Sequence, residues 1–167
     1  MRATIAILAC LALLAGCTRS PYEPPPDPVD LWHVVVLSEI VSDNSSIIAD
    51  EFGDFDDYIE IYNPQDTTVN ISGFGLTDDV GAVKFEFPYF TIIEPDMVLL
   101  IWCDAEPEEG DYHADFRISA DGEWIGLYDV YGSIIDSVTV PELPEDSAFV
   151  RDSVWSWTIG AASPGSR

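Results

Sequence analysis

The chain has 167 residues, of which 47% are apolar and 12% aromatic, enough for one domain with a sizeable core and not for two. Acidic residues outnumber basic ones 31 to 6, with Lys84 the only lysine, and the formal charge is −25. That balance argues strongly against a nucleic-acid partner, because phosphate recognition rests on Lys/Arg neutralisation, and it disfavours electrostatic adhesion to anionic lipid.

Residues 1–17 read M-R-A-T-I-A-I-L-A-C-L-A-L-L-A-G-C. Arg2 is a minimal positive n-region, and Ala3–Leu14 is an apolar stretch of signal-peptide length, too short to span a bilayer. The tetrad Leu14-Ala15-Gly16-Cys17 resembles the bacterial lipobox. The resemblance implies a signal peptide over 1–16, cleavage before Cys17, and covalent diacylglycerol and acyl lipid on that cysteine. Several acyl chains together anchor stably where one is marginal. By resemblance to enterobacterial sorting, Thr18 after the cysteine implies delivery to the outer membrane, so the first partner is the membrane, reached through lipid.

Thr18–Asp30 holds five prolines and no apolar periodicity, so residues 17–30 read as a lipidated cysteine and a semi-extended, Pro-rich tether. Of the three cysteines, Cys10 falls in the leader and Cys17 takes the lipid, leaving Cys103 alone. No disulfide forms within one mature chain, so the fold must rest on its core. Cys103 follows M-V-L-L-I-W and reads as a small buried hydrophobe at a strand end.

The domain spans 31–167. Leu31–Val41 is dense in β-branched residues and predicts a strand. Ser42–Asp57 is a long polar loop, and Tyr58–Tyr62 alternates, with Ile59 and Ile61 facing the core and Tyr58, Glu60 and Tyr62 on the other face. Further strands are predicted over Thr67–Ile71, Phe74–Thr77, Ala82–Phe87, Thr91–Ile93 and Met97–Trp102. Glu106–Asp111 is an acidic loop, and Tyr112–Ile118 alternates loosely. Asp121-Gly122 is read as the turn of a hairpin joining that segment to Glu123–Tyr128. Ser133–Val140, Ala148–Arg151 and Trp155–Thr158 complete the set, and no segment of the mature chain carries capped helical periodicity. Short strands separated by turn residues predict an all-β fold. The five tryptophans, Trp32, Trp102, Trp124, Trp155 and Trp157, fall mostly in strands and read as core or edge packing.

The ordered pieces S-E-I (Ser38–Ile40), D-Y-I-E-I-Y-N-P (Asp57–Pro64), V-N-I-S-G-F-G-L-T-D (Val69–Asp78), F-E-F-P (Phe85–Pro88), D-F-R-I-S-A-D-G-E-W-I-G-L-Y-D (Asp115–Asp129), I-I-D-S-V (Ile134–Val138) and S-P-G (Ser163–Gly165) resemble the bacterial lamin tail domain. The resemblance runs over about residues 34–166. It implies an immunoglobulin-like antiparallel β-sandwich of a kind found in exported and surface proteins.

Chemistry is sparse. There is no Gly-rich phosphate loop, no H-E-x-x-H, no G-x-S-x-G and no C-x-x-C, and His33 and His113 lie far apart without evident partners. No catalytic residue is assigned and no enzyme activity is expected. Asp50, Glu51, Asp54, Asp56 and Asp57 could offer calcium several hard oxygens, although they do not fit the EF-hand spacing, and a plain solvated acidic loop is the competing expectation. The sequence thus describes a lipid-anchored, non-catalytic binding or structural module of the bacterial cell envelope with a protein or glycan partner. A calcium-dependent adhesion or carbohydrate-binding module is the alternative. An exposed aromatic patch beside the acidic loop would mark adhesion; an evenly charged surface alone would mark a scaffold.

Overall fold

The computed structural model describes residues 34–166. The leader, the Cys17 anchor, the Pro-rich tether, Trp32 and His33 lie outside the described residues. These form eleven strands and no helix: β1 Val36–Val41, β2 Tyr58–Tyr62, β3 Val69–Asn70, β4 Gly75–Thr77, β5 Phe85–Glu86, β6 Ile92–Ile93, β7 Val98–Trp102, β8 Glu123–Tyr128, β9 Ile134–Val140, β10 Ser147–Arg151 and β11 Trp157–Ala161. A five-stranded sheet runs β11-β10-β1-β2-β7, a four-stranded sheet runs β5-β4-β8-β9, and β3 pairs with β6. Every strand pairing is antiparallel, as in an immunoglobulin-like β-sandwich.

The core draws on both large sheets. Leu37, Ile40, Ile59, Ile61 and Ile101 from one meet Leu76, Phe85, Ile125, Leu127 and Ile135 from the other in one buried cluster. Leu37 and Ile40 are three apart, a spacing that strict alternation would put on opposite faces. The register shift between Leu37 and Glu39 resets the pleat and lets both reach the core. Cys103, fully buried just after β7, packs as the small hydrophobe expected of it.

The outer face of the five-stranded sheet is covered too. Val41, Tyr58, Trp102 and Ala148 form a second buried cluster, with Ile47 and Ile48 from the long loop and Ala162 from the chain end packed against it. Hence all five residues of β2 are buried, Glu60 included.

Three strand expectations are corrected. Tyr112–Ile118 forms no strand and no hairpin with β8. Ala114, Phe116 and Ile118 fill the core, but the backbone runs beside β7 and the residues after it, bridging at Trp102–His113 and Asp104–Arg117. β8 pairs instead with β4 and β9. The Gly122 turn itself forms, with φ +89° and its N–H on Ser119 O. β11 begins at Trp157 rather than Trp155, because Asp152 Oδ1 accepts N–H bonds from Val154 and Ser156 and holds that stretch as a turn. Ala82–Phe87 yields only the short strand β5, since Thr77 Oγ1 donates to the Ala82 carbonyl and ties that end into a loop.

Candidate functional site

Two loops meet at one end of the sandwich: the segment between β1 and β2, and the segment following β7. The first is a built structure. Asn44, nearly buried, donates through Nδ2 to the Ile48 and Asp56 carbonyls (both 2.8 Å) and accepts the Ile47 N–H. Asp50 Oδ1 accepts the N–H groups of Phe52, Gly53 and Asp54 at 2.8–2.9 Å, with Gly53 at φ +96°. Asp146 reaches across from the start of β10 to hold Ser45 and Ser46.

The second loop places His113. Its neighbours are pinned to Trp102: Trp102 N–H donates to Tyr112 O, and Ala114 N–H to Trp102 O. The imidazole is 2% exposed, stacked on Trp102 (6.5 Å between centroids) and edge-on to Phe52 (6.2 Å). Nδ1 hydrogen-bonds the Asp104 carboxylate, whose other oxygen takes the Glu106 N–H. Nε2 makes no hydrogen bond of good geometry; the nearest acceptor, Glu51 Oε2, lies 3.5 Å from it as a loose ion pair. Glu109 Oε2 lies 3.7 Å from Nδ1. One ligand atom on each of Asp50, Glu109 and His113 falls within 4.8 Å of the other two.

The electrostatics follow from this crowding. Burial works against the charged form of His113, but the Asp104 bond and the Asp104 and Glu51 charges outweigh it and hold the imidazole above its ordinary pKa. Burial also works upward on Asp50, yet its three backbone N–H bonds prevail and its carboxyl sits below the usual range. Burial and the charges of Glu106 and Asp50 push Glu109 up. Asp57 rises to about 7 through burial, opposed by the Ile118 N–H and reinforced by Asp56.

The five carboxylates that could offer calcium their oxygens are placed in different ways. Of Asp50, Glu51, Asp54, Asp56 and Asp57, Asp50 enters the cluster and Glu51 borders it. Asp57 Oδ2 is turned to the Ile118 N–H, and neither Asp54 nor Asp56 joins any group of convergent ligand atoms among the described residues. The sequence does not announce Glu109 and Asp104 as partners of His113, whose neighbours come together only in the fold. The spacing of Glu109 and His113, four apart in an acidic loop, was the available signal.

The family model of the lamin tail domain matches residues 33–142, about two thirds of the chain. The chain belongs to the lamin tail domain family. No curated protein and no solved structure matches it significantly. The family is one of immunoglobulin-like, non-enzymatic domains. In this lamin tail domain β10 and β11 fall beyond the matched residues yet complete the same sheet, β10 pairing with β1.

Those last strands frame a second polar cluster. Glu39 and Glu60 are paired across β1 and β2 and are 2% and 1% exposed. Glu39 accepts the Tyr58 hydroxyl (2.6 Å) and the Ser163 N–H and hydroxyl, while Glu60 accepts the Gly165 N–H (2.5 Å). The Ser-Pro-Gly segment of this lamin tail domain thus serves as a strap over two buried carboxylates. Burial, eased by the Gly165 N–H and reinforced by Glu39, pushes Glu60 up to about 7.

Proposed function

We propose that the protein is a lipid-anchored, non-catalytic envelope protein whose lamin tail domain binds a protein or glycan partner through the loop end that carries His113. One observation carries the choice of a binding module over a bare scaffold. Phe52, Phe55 and Tyr112, on the two loops that meet there, are 57%, 47% and 37% exposed. Aromatic rings held beside acidic groups offer both stacking area and directional acceptors, a combination suited to glycan or protein recognition. The anchor rests on Leu14–Cys17, and the tether sets the domain off the membrane. Acidic charge leaves lipid attachment, rather than surface electrostatics, to hold the chain at the membrane.

Two comparisons test the reading. Cys17→Ser should lose acyl labelling and move the protein from the membrane to the soluble fraction; equal labelling of both proteins rejects the anchor. The soluble Cys17→Ser protein should co-sediment with delipidated envelope polysaccharide or envelope protein. The added changes Phe52→Ala, Phe55→Ala and Tyr112→Ala should abolish this with little change in melting temperature. Equal sedimentation of the two proteins, or none, leaves the domain a scaffold.

A further inference from the structure

We propose that His113, Asp50 and Glu109, with Glu51 as a fourth donor, form a binding site for a divalent transition-metal ion of the zinc type. The site lies in the loop end and is independent of which partner that end engages. Its first support is convergence from separate parts of the chain: Asp50 and Glu51 come from the loop before β2, Glu109 and His113 from the segment after β7.

The second support is unsatisfied valence. Buried polar atoms nearly always find hydrogen-bond partners. Here three of them, His113 Nε2, Asp50 Oδ2 and Glu109 Oε2, make no hydrogen bond, two having only loose ion-pair contacts at 3.5 and 3.7 Å, and they belong to the three residues whose ligand atoms converge. His113 is 2% exposed, so water does not supply the missing partner from bulk. Asp50 shows the division of labour within one side chain. Its Oδ1 is fully engaged in shaping the loop, and its Oδ2 is left over.

The third support is orientation. The Asp104 carboxylate keeps a proton on Nδ1, so Nε2 is the nitrogen a metal ion would take in place of its proton, the arrangement that carboxylates impose on metal-ligating histidines. Asp104 is a positioning residue here, 1% exposed and held in turn by the Glu106 N–H. Tetrahedral coordination at about 2.0–2.2 Å sets neighbouring donors roughly 3.4 Å apart. Glu51 Oε2 already stands 3.5 Å from Nε2. Glu109 Oε2 stands 3.7 Å from Nδ1, the nitrogen held by Asp104, so its side chain would have to turn to meet an ion on Nε2.

The donor set selects the ion. Imidazole nitrogen with carboxylate oxygens suits zinc and its first-row neighbours, whereas calcium takes six to eight oxygens and magnesium keeps its waters.

The test uses the full chain in detergent, stripped with a chelator and titrated with zinc chloride alone. Calorimetry should show one zinc per chain and the melting temperature should rise. In a constant sodium chloride background that already screens the acidic surface, calcium and magnesium at the same concentration should not reproduce the rise. Cobalt(II) should give the visible absorption bands of a low-coordinate site. Asp50→Asn keeps the acceptor that shapes the loop, and with Glu109→Gln should weaken zinc at least tenfold without changing the melting temperature of the metal-free protein; His113→Gln should abolish the cobalt bands. Glu142→Gln with Glu145→Gln controls for general acidity and should change nothing. Zinc bound at many weak equivalent sites, an undiminished affinity in the Asp50→Asn/Glu109→Gln protein, or an equal response to calcium would each overturn the site.

Discussion

At the scale of single residues, β2 shows how far alternation reaches. It places Ile59 and Ile61 in the core correctly, because the side-chain period of a strand is local. It does not reveal that Glu60 is buried, because the cover arrives from the chain end: Ala162 packs near Tyr58, and Gly165 donates to Glu60 itself. His113 was opaque for the same reason, since Asp104 and Glu51 reach it only through the path of two loops. The burial of Glu60 has a pH signature. Its carboxyl titrates at about 7 in the folded protein, against ~4.3 in an unfolded chain. Between those values the folded state holds more protons than the unfolded one, so stability falls as pH rises through the window. Glu60→Gln removes this titration while keeping an acceptor for Gly165. From pH 5 to pH 8 the wild type should lose on the order of 2–3 kcal/mol relative to the variant. Urea melts at the two pH values measure this, and parallel losses in both proteins would mean that Glu60 is hydrated.

At the scale of elements, most strands are legible, Tyr112–Ile118 being the exception, and strand partnership is not. β2 and β8 were read with the correct bounds, but Asp121-Gly122 suggested a hairpin that does not form, because a turn signal is local whereas sheet order is decided by the core. The two sheets are joined by a clasp that no local pattern announces. Asp136 of β9 pairs with both terminal nitrogens of Arg151 of β10 at 2.7 and 3.0 Å and accepts the Leu37 N–H of β1 at 2.9 Å. Arg151 lies over the rings of Trp157 (4.8 Å) and Trp155 (5.8 Å). With side-chain exposures of 8% and 5%, the pair is desolvated. Arg151→Met should therefore strand a buried carboxylate and cost about 3–5 kcal/mol. Arg151→Met with Asp136→Asn should recover part of that loss, because the asparagine still accepts from Leu37. A double-mutant cycle in urea reads the coupling; a single-variant cost below about 1 kcal/mol would put the pair in water.

At the scale of the whole molecule, a formal charge of −25 on 167 residues makes self-repulsion a general opponent of the compact state. In the presence of a chelator, raising sodium chloride from 10 to 150 mM should raise the melting temperature, as the screening length shortens from about 30 to about 8 Å. Calorimetry at stepped salt checks this, and a flat response would mean that the acidic groups are spread widely enough not to oppose folding. The placement of β1 has a mechanical consequence. The chain enters β1 at Val36 from the side of the proposed tether and leaves it at Val41 into the loop that carries Phe52 and Phe55. β1 lies between β10 and β2, bonded to both. A pull between the membrane and a partner held at that loop would run along the strand axis. It would load both ladders in shear, so their hydrogen bonds must yield together instead of unzipping one by one. Resistance to such a pull is set by the rate of unfolding rather than by equilibrium stability, and a domain strung this way would hold under tension from its two ends.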